Sequence, residues 1–112
     1  MSSLRNKVQL IGRLGNDPEL QTFDSGKKMV KFSIATDDFY RNAEGERVKQ
    51  TDWHNVVAWS KTAEIISNHV KKGQEIALEG KLTTRSWEGE DGQKRYTTEV
   101  ICDEVVLLGS KQ

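Results

Sequence analysis

The three tryptophans are the residues whose surroundings most suggest chemistry, because each stands among polar or cationic neighbours. In Trp53-His54-Asn55-Val56-Val57-Ala58-Trp59, alternate residues of a strand would share a face. Trp53, Asn55, Val57 and Trp59 then lie on one face, and His54, Val56 and Ala58 on the other. A core needs one apolar face, and Val56 with Ala58 supplies it. The two indoles opposite are surplus to packing, and exposed indoles are a solubility liability unless something stacks on them. The competing assignment reverses the faces and makes the tryptophans core, which for an arbitrary strand is the commoner arrangement. A second stretch weighs against it. Between residues 75 and 87, Ile76, Leu78, Gly80 and Leu82 form an apolar face, while Trp87 falls with Lys81 and Arg85. An indole among cations is poor core material. It suits a nucleic-acid single strand, whose bases offer π-faces and whose phosphates need neutralising. Tyr40 beside Arg41 repeats the theme in a polar stretch, where an ordinary loop tyrosine explains it equally well.

The cations are grouped. Residues 1–16 hold Arg5, Lys7 and Arg13 and no acid; Lys27, Lys28 and Lys31 form a second group, and Lys71 with Lys72 a third. Acids gather at Asp17, Glu19 and Asp24, at Asp37 and Asp38, and at Glu99, Asp103 and Glu104. The totals cancel, 17 against 17, which argues against a strongly basic nucleic-acid binder. Segregated charge on a neutral protein still permits one positive groove, and a merely solvated surface fits this feature as well.

Catalysis is not expected. It requires titratable groups gathered around a pocket. The two histidines, His54 and His69, and the one cysteine, Cys102, show no metal-ligand spacing, and Cys102 alternates with Val100 as a small core residue would. Gly12-Arg13-Leu14-Gly15 lacks the flanks of a phosphate-binding loop, so neither a metal nor a cofactor is implied.

The elements that must position these side chains are mostly strands. Val8, Leu10, Gly12 and Leu14 alternate with Lys7, Gln9, Ile11 and Arg13 until Gly15-Asn16-Asp17-Pro18, and Val30, Phe32 and Ile34 alternate after a turn at Asp24-Ser25-Gly26. A polar stretch from 37 to 50 reads as a loop or hairpin tip around Glu44-Gly45-Glu46. Further strands are expected near 48–59, 75–87 and 95–108, the last two joined by a loop at Glu88-Gly89-Glu90-Asp91-Gly92. Ala63, Ile66 and Val70 recur at helical spacing, with Ser60 or Thr62 to cap the start and Lys71-Lys72-Gly73 to stop it. Three strands, a helix and two strands is the order of the OB-fold, an all-β five-stranded Greek-key barrel with one short helix between strands 3 and 4. The length of 112 residues suits one domain, expected over 1–108 with a short C-terminal remnant at 109–112. No apolar run reaches transmembrane length, the first residues lack a secretory pattern, and a lone cysteine fits a cytoplasmic setting.

Laid out in order, a set of short motifs resembles the bacterial-type single-stranded DNA-binding proteins. They are Asn6-Lys7-Val8, Gly12, Leu14-Gly15, Asp17-Pro18, Ile34-Ala35-Thr36, residues 51–57, Ala63-Glu64, Lys72-Gly73, Glu79-Gly80-Lys81-Leu82, Arg85-Ser86-Trp87 and residues 93–100. Each is weak alone; their order and spacing over nearly the whole chain are specific. The resemblance implies an OB-fold, often four copies in a homotetramer, that protects unpaired DNA during replication, recombination and repair without strong sequence preference. It matches Trp53, Trp59 and Trp87 to base-stacking positions, and Tyr40 to one where tryptophan is common. Lys61, Lys72 and Arg85 match basic positions, and His54 a position of subunit contact. With the cations above, the expected phosphate contacts are Arg5, Lys7, Arg13, Lys31, Arg41, Lys61, Lys72, Lys81 and Arg85. Asn55 and Thr83 stand where relatives can have arginine. Family members commonly continue to an acidic tip that recruits replication and repair proteins; these residues end at Leu108-Gly109-Ser110-Lys111-Gln112 without one, and recruitment by that route is not expected. From the residues alone, an OB-fold for single-stranded RNA and an OB-fold scaffold with aromatic hot spots for protein partners stay open, because stacking does not read the 2′-hydroxyl.

Overall fold

The structure is a computed structural model that describes residues 4–108. The expected remnant at 109–112, like residues 1–3, lies outside the described residues. After a 3-10 turn at Leu4–Asn6 come β1 (Val8–Leu14), β2 (Glu19–Thr22), β3 (Lys28–Arg41) and β4 (Arg47–Trp59). Helix α1 (Ser60–His69), β5 (Glu75–Glu88) and β6 (Lys94–Leu107) follow. The strands are ordered β1-β5-β6-β4-β3-β2, and β1 returns to pair with β3 through Arg13 with Ala35 and Leu14 with Ile34. Five strands therefore close into the expected barrel, with α1 between the third and fourth of them. The short β2 continues the β3 edge where β1 stops, pairing Glu19 with Lys31. It had no apolar alternation to announce it, since every one of its residues is exposed.

Alternation works where strands wrap the core. Val30, Phe32 and Ile34 of β3, Val56 and Ala58 of β4, Ile76 and Leu78 of β5, and Val100 and Cys102 of β6 are all buried. Ala63, Ile66 and Val70 add the apolar side of α1. Burying each larger aliphatic side chain contributes about 1.5–3 kcal/mol. Two glycines let backbones cross where the barrel closes. A Cβ on Gly12 would collide with the Ala35 carbonyl, and one on Gly80 with the Ile101 carbonyl beside the register shift of β5 against β6.

Three expectations change. The stretch 37–50 is no loop: β3 and β4 stay paired from Met29 with Trp59 to Arg41 with Arg47. Only the tip at 42–46 turns, where Asn42 Oδ1 accepts the Glu44 and Glu46 N–H groups at 3.0 and 2.9 Å. Both faces of this arm meet solvent because it stands clear of the core, so no sealed apolar face marks it while its backbone pairing persists. Tyr40 consequently lies on a strand. Leu82 is exposed, because the β5–β6 hairpin has left the barrel there; Asn6 bonds both backbone groups of Leu82 at 2.9 Å. The helix start carries no side-chain cap: Trp59 is the cap residue, and Thr62 Oγ1 instead donates to the Asp103 carbonyl at 3.5 Å. No helix among the described residues is long and apolar enough to cross a membrane.

Candidate nucleic-acid interface

The site follows from one parallel pairing. β4 and β6 are hydrogen-bonded as a ladder at Val56–Ala58 and Val100–Cys102, and they run in the same direction. The β3–β4 and β5–β6 hairpins therefore leave the barrel at the same end as two splayed arms. Across the outer face the register aligns Lys31, Val57, Ile101 and Lys81 in one row over four strands. Beyond that row the arms part, leaving a groove of about 460 Å³ lined by Lys31, Ser33, Asn55, Val57, Arg85 and Glu99, among others.

All three indoles stand on this outer face. Trp53, 61% exposed, rests on Gly15, where any Cβ would strike its six-membered ring. The neighbouring Asn16 Oδ1 accepts from Ser33 N and Oγ at 3.0 and 3.1 Å, fixing the groove rim. Trp59, 39% exposed, stacks with Phe23 at a centroid separation of 6.0 Å and an interplanar angle of 28°. Trp87, 45% exposed, lies under the Arg85 guanidinium, 5.8 Å from its ring centre. Arg85 is held from its other side by Glu99 at 3.3 Å, a carboxylate only 8% exposed at the groove floor. The assigned faces of β4 and β5 thus match the structure, except that Val57 is buried although it faces outward and Leu82, assigned to the apolar face, is exposed.

The expected phosphate contacts divide. Arg13 is next in register to Ala35, itself opposite Trp53, and donates to the Gly73 carbonyl at 3.2 Å, so it flanks the Trp53 platform. Lys31 and Lys81 end the row across the groove, and neither makes an ion pair among the described residues. Lys72 is exposed near Arg13, its N–H donating to Asp17 Oδ1 at 2.7 Å. Lys61 is exposed on α1, near the 2.6 Å ion pair of Lys28 with Glu64, whose carboxyl is lowered chiefly by its bond to Lys28. Lys7 is paired to Glu79 at 3.4 Å on the β1–β5 side, away from the indoles, and Arg5 is exposed in the 3-10 turn before it. Arg41 sits on the arm tip, donating to the Gly45 carbonyl at 2.8 Å.

Tyr40, expected to stack, and His54, expected at a subunit contact, share the other face of the arm. Tyr40 pairs with Val48, on the opposite face of the arm from Trp53. His54 is half-buried on that same opposite face, 2.9 Å from Thr36 Oγ1. Conversely, Phe23, Gly15, Asn16 and Glu99 belong to the site and were not singled out. Phe23 had a signal, an aromatic directly before the Asp24-Ser25-Gly26 turn; Gly15 and Glu99 act through neighbours that only the fold brings to them.

The profile of the single-strand binding protein family matches residues 5–108. A protein named single-stranded DNA-binding protein 1 from Chlorobaculum tepidum is 45% identical over 95% of this chain and 66% of its own length. The chain thus spans just under two thirds of that relative. A protein of the same name from Xylella fastidiosa is 43% identical over 100% of this chain and 82% of its own. Among solved structures, a Plasmodium falciparum SSB in complex with ssDNA superposes with a TM-score of 0.85 at 34% identity, covering 96% of this chain and 97% of that one. With groove, arms and indoles placed as described, the profile match over nearly every described residue means that the chain belongs to the single-strand binding protein family.

Proposed function

We propose that this protein binds single-stranded DNA with little sequence preference, stacking bases on Trp53, Trp59 and Trp87 and drawing phosphates to Arg13, Lys31, Lys72, Lys81 and Arg85. The observation that carries the reading is the exposure of three indoles on one outer face around a groove rimmed with cations. Stacking alone accepts either nucleic acid. The preference for DNA is supported by the names of the relatives and by the strand bound in the Plasmodium complex. Tryptophan fluorescence titrated with oligo-dT tests it: strong quenching is expected, with a matched RNA oligomer competing more weakly. An unchanged spectrum would leave a protein-binding scaffold instead.

The protein also assembles with itself, as a homotetramer that coats strands in replication, recombination and repair. Support comes from an apolar row at the other end of β5 and β6 from Trp87. Ile11 pairs with Ala77 and Ala77 with Val106, and the side chains of Ile11 and Val106 are exposed. An unpartnered apolar strip of this kind marks an interaction surface. Sedimentation at micromolar concentration should show a species well above the 12.7 kDa chain, and Ile11→Glu should shift it toward the monomer.

A further inference from the structure

Strand β2 ends the sheet, and its outer edge is bare. The strand order leaves it a single neighbour, β3, and all of its residues are exposed. The Phe23 N–H donates to the Lys27 carbonyl at 2.8 Å, which makes Phe23 and Lys27 a hydrogen-bonded pair of the hairpin. Such pairs alternate with open ones along an antiparallel ladder, so Gln21 with Met29 and Glu19 with Lys31 are the bonded pairs of β2. The N–H and C=O groups of Leu20 and Thr22 therefore point away from the sheet, and they find no backbone partner among the described residues. Natural edges are commonly blunted by lysine, proline or a bulge. Glu19-Leu20-Gln21-Thr22 has none of these and is protected only by being short. The edge also borders the nucleic-acid face. Gln21, Met29 and Trp59 form one row across β2, β3 and β4, and Phe23 stacks with Trp59 beside it.

Resting on the single-strand reading above, we propose that the β2 edge pairs with the β2 edge of a second copy when both copies bind one DNA strand. A two-fold contact uses the same patch on each copy. An antiparallel pairing with Gln21 on the axis sets Leu20 of each copy opposite Thr22 of the other, and these residues exchange both backbone hydrogen bonds. No other register brings all the outward groups together. In this one Glu19 meets Phe23, so no like charges face each other across the joint. The two Leu20 side chains, each 40% exposed in the single chain, become diagonal neighbours about 7–8 Å apart. On the outer face the sheet then runs unbroken from one Trp59 to the other, across five strand spacings or about 24 Å. A DNA strand too long for the indoles of one copy continues onto the next. The joint is separate from the Ile11 and Val106 strip, which lies on β1 and β6.

The test uses the whole protein carrying Gln21→Cys or Glu19→Cys, mildly oxidised on dT strands that hold one copy or several. Cα atoms directly opposed at an open pair are about 4.5 Å apart, within the span of a disulfide. Cys102 is buried and does not compete. Gln21→Cys should therefore give disulfide-linked dimers on long strands. Glu19→Cys should give almost none, because its two copies lie about 14 Å apart along the joined strands. Linking of neither, or of both alike, would overturn the pairing. Leu20→Pro removes an outward N–H and no bond to β3. It should bind the shortest dT oligomers as the parent does, while its cooperativity on long strands falls about 5- to 150-fold. Parental cooperativity in Leu20→Pro would overturn the pairing, as would Gln21→Cys linkage that the added Leu20→Pro leaves undiminished. Quenching of the parent by dT while Gln21→Cys stays unlinked would remove the joint and leave the single-strand reading intact. No quenching at all would remove both. A lysine-rich peptide that binds the parent but not Leu20→Pro, with no self-linkage, would give the edge to a foreign strand and overturn the pairing likewise.

Discussion

An indole on a strand can serve the core or a ligand, and Trp87 separates the two uses. It lies beyond the point where β5 leaves the barrel, against Arg85 and outside the buried core cluster. Trp87→Ala should therefore cost roughly 1–3 kcal/mol of oligonucleotide binding. The thermal midpoint of the unbound protein should barely move, whereas loss of a core indole would cost roughly 3–5 kcal/mol of stability. Oligo-dT titration and thermal unfolding read the two quantities separately. Cys102 illustrates the opposite use. It is buried, its Sγ donates to the Glu104 carbonyl at 3.3 Å, and burial first, then Asp103, pushes the thiol up from 9.0 to about 12. Thiolate is the reactive form. A thiol reagent at pH 8 should leave the folded protein unmodified and label it only after unfolding. Above pH 9 the unfolded thiol ionises while the folded one stays protonated. Its contribution to stability is thus present in full below pH 9.0 and is lost as pH rises toward about 12.

At the scale of elements, legibility tracks contact with the core. The alternation of Val30, Phe32 and Ile34, and of Val56 and Ala58, announced strands because one side of each is sealed, and it placed Trp53 and Trp59 outside. Past Thr36 neither face is sealed, so Tyr40 and Phe39 looked like loop residues. The start of α1 hid for another reason: Thr62 spends its hydroxyl on Asp103 of a distant strand. Glycines were legible as turns but not as crossings. Gly80 is buried against the Ile101 backbone, which cannot withdraw without opening the β5–β6 ladder. Gly80→Ala should destabilise by at least the roughly 1–3 kcal/mol typical of overpacking, measured by urea unfolding. The same change at Gly26, with open space around it, is strained only by its positive φ of 90°.

Over the whole molecule, 17 cations face 17 acids, and several are already engaged. Lys7, Lys28, Lys49, Arg85 and Arg95 each have a carboxylate within 4 Å. A phosphate must compete with these partners, so fewer counterions are released than the cation total suggests. Plotted against log salt, log affinity for oligo-dT should fall by about 0.7 per neutralised phosphate, giving a slope that counts only a few contacts. A slope matching most of the cations would reverse the weight given to stacking. Barrel closure sets a different limit, on how fast the molecule can form. β1 is the first strand of the chain, yet Val8 must find Gly80 and Leu10 must find Leu78, with only Arg13 and Leu14 anchored to nearer partners in β3. The β3–β4 and β5–β6 hairpins close short loops at little entropic expense, whereas β1 waits for a contact across most of the chain. Refolding should accordingly be slow for a chain of this size, on the scale of milliseconds to seconds. In stopped-flow chevrons, Val56→Ala should slow folding, while Leu10→Ala should chiefly hasten unfolding. The strand made first would then be the last to dock, and until it does the Gly80 edge of β5 stays open to any other strand that can pair with it.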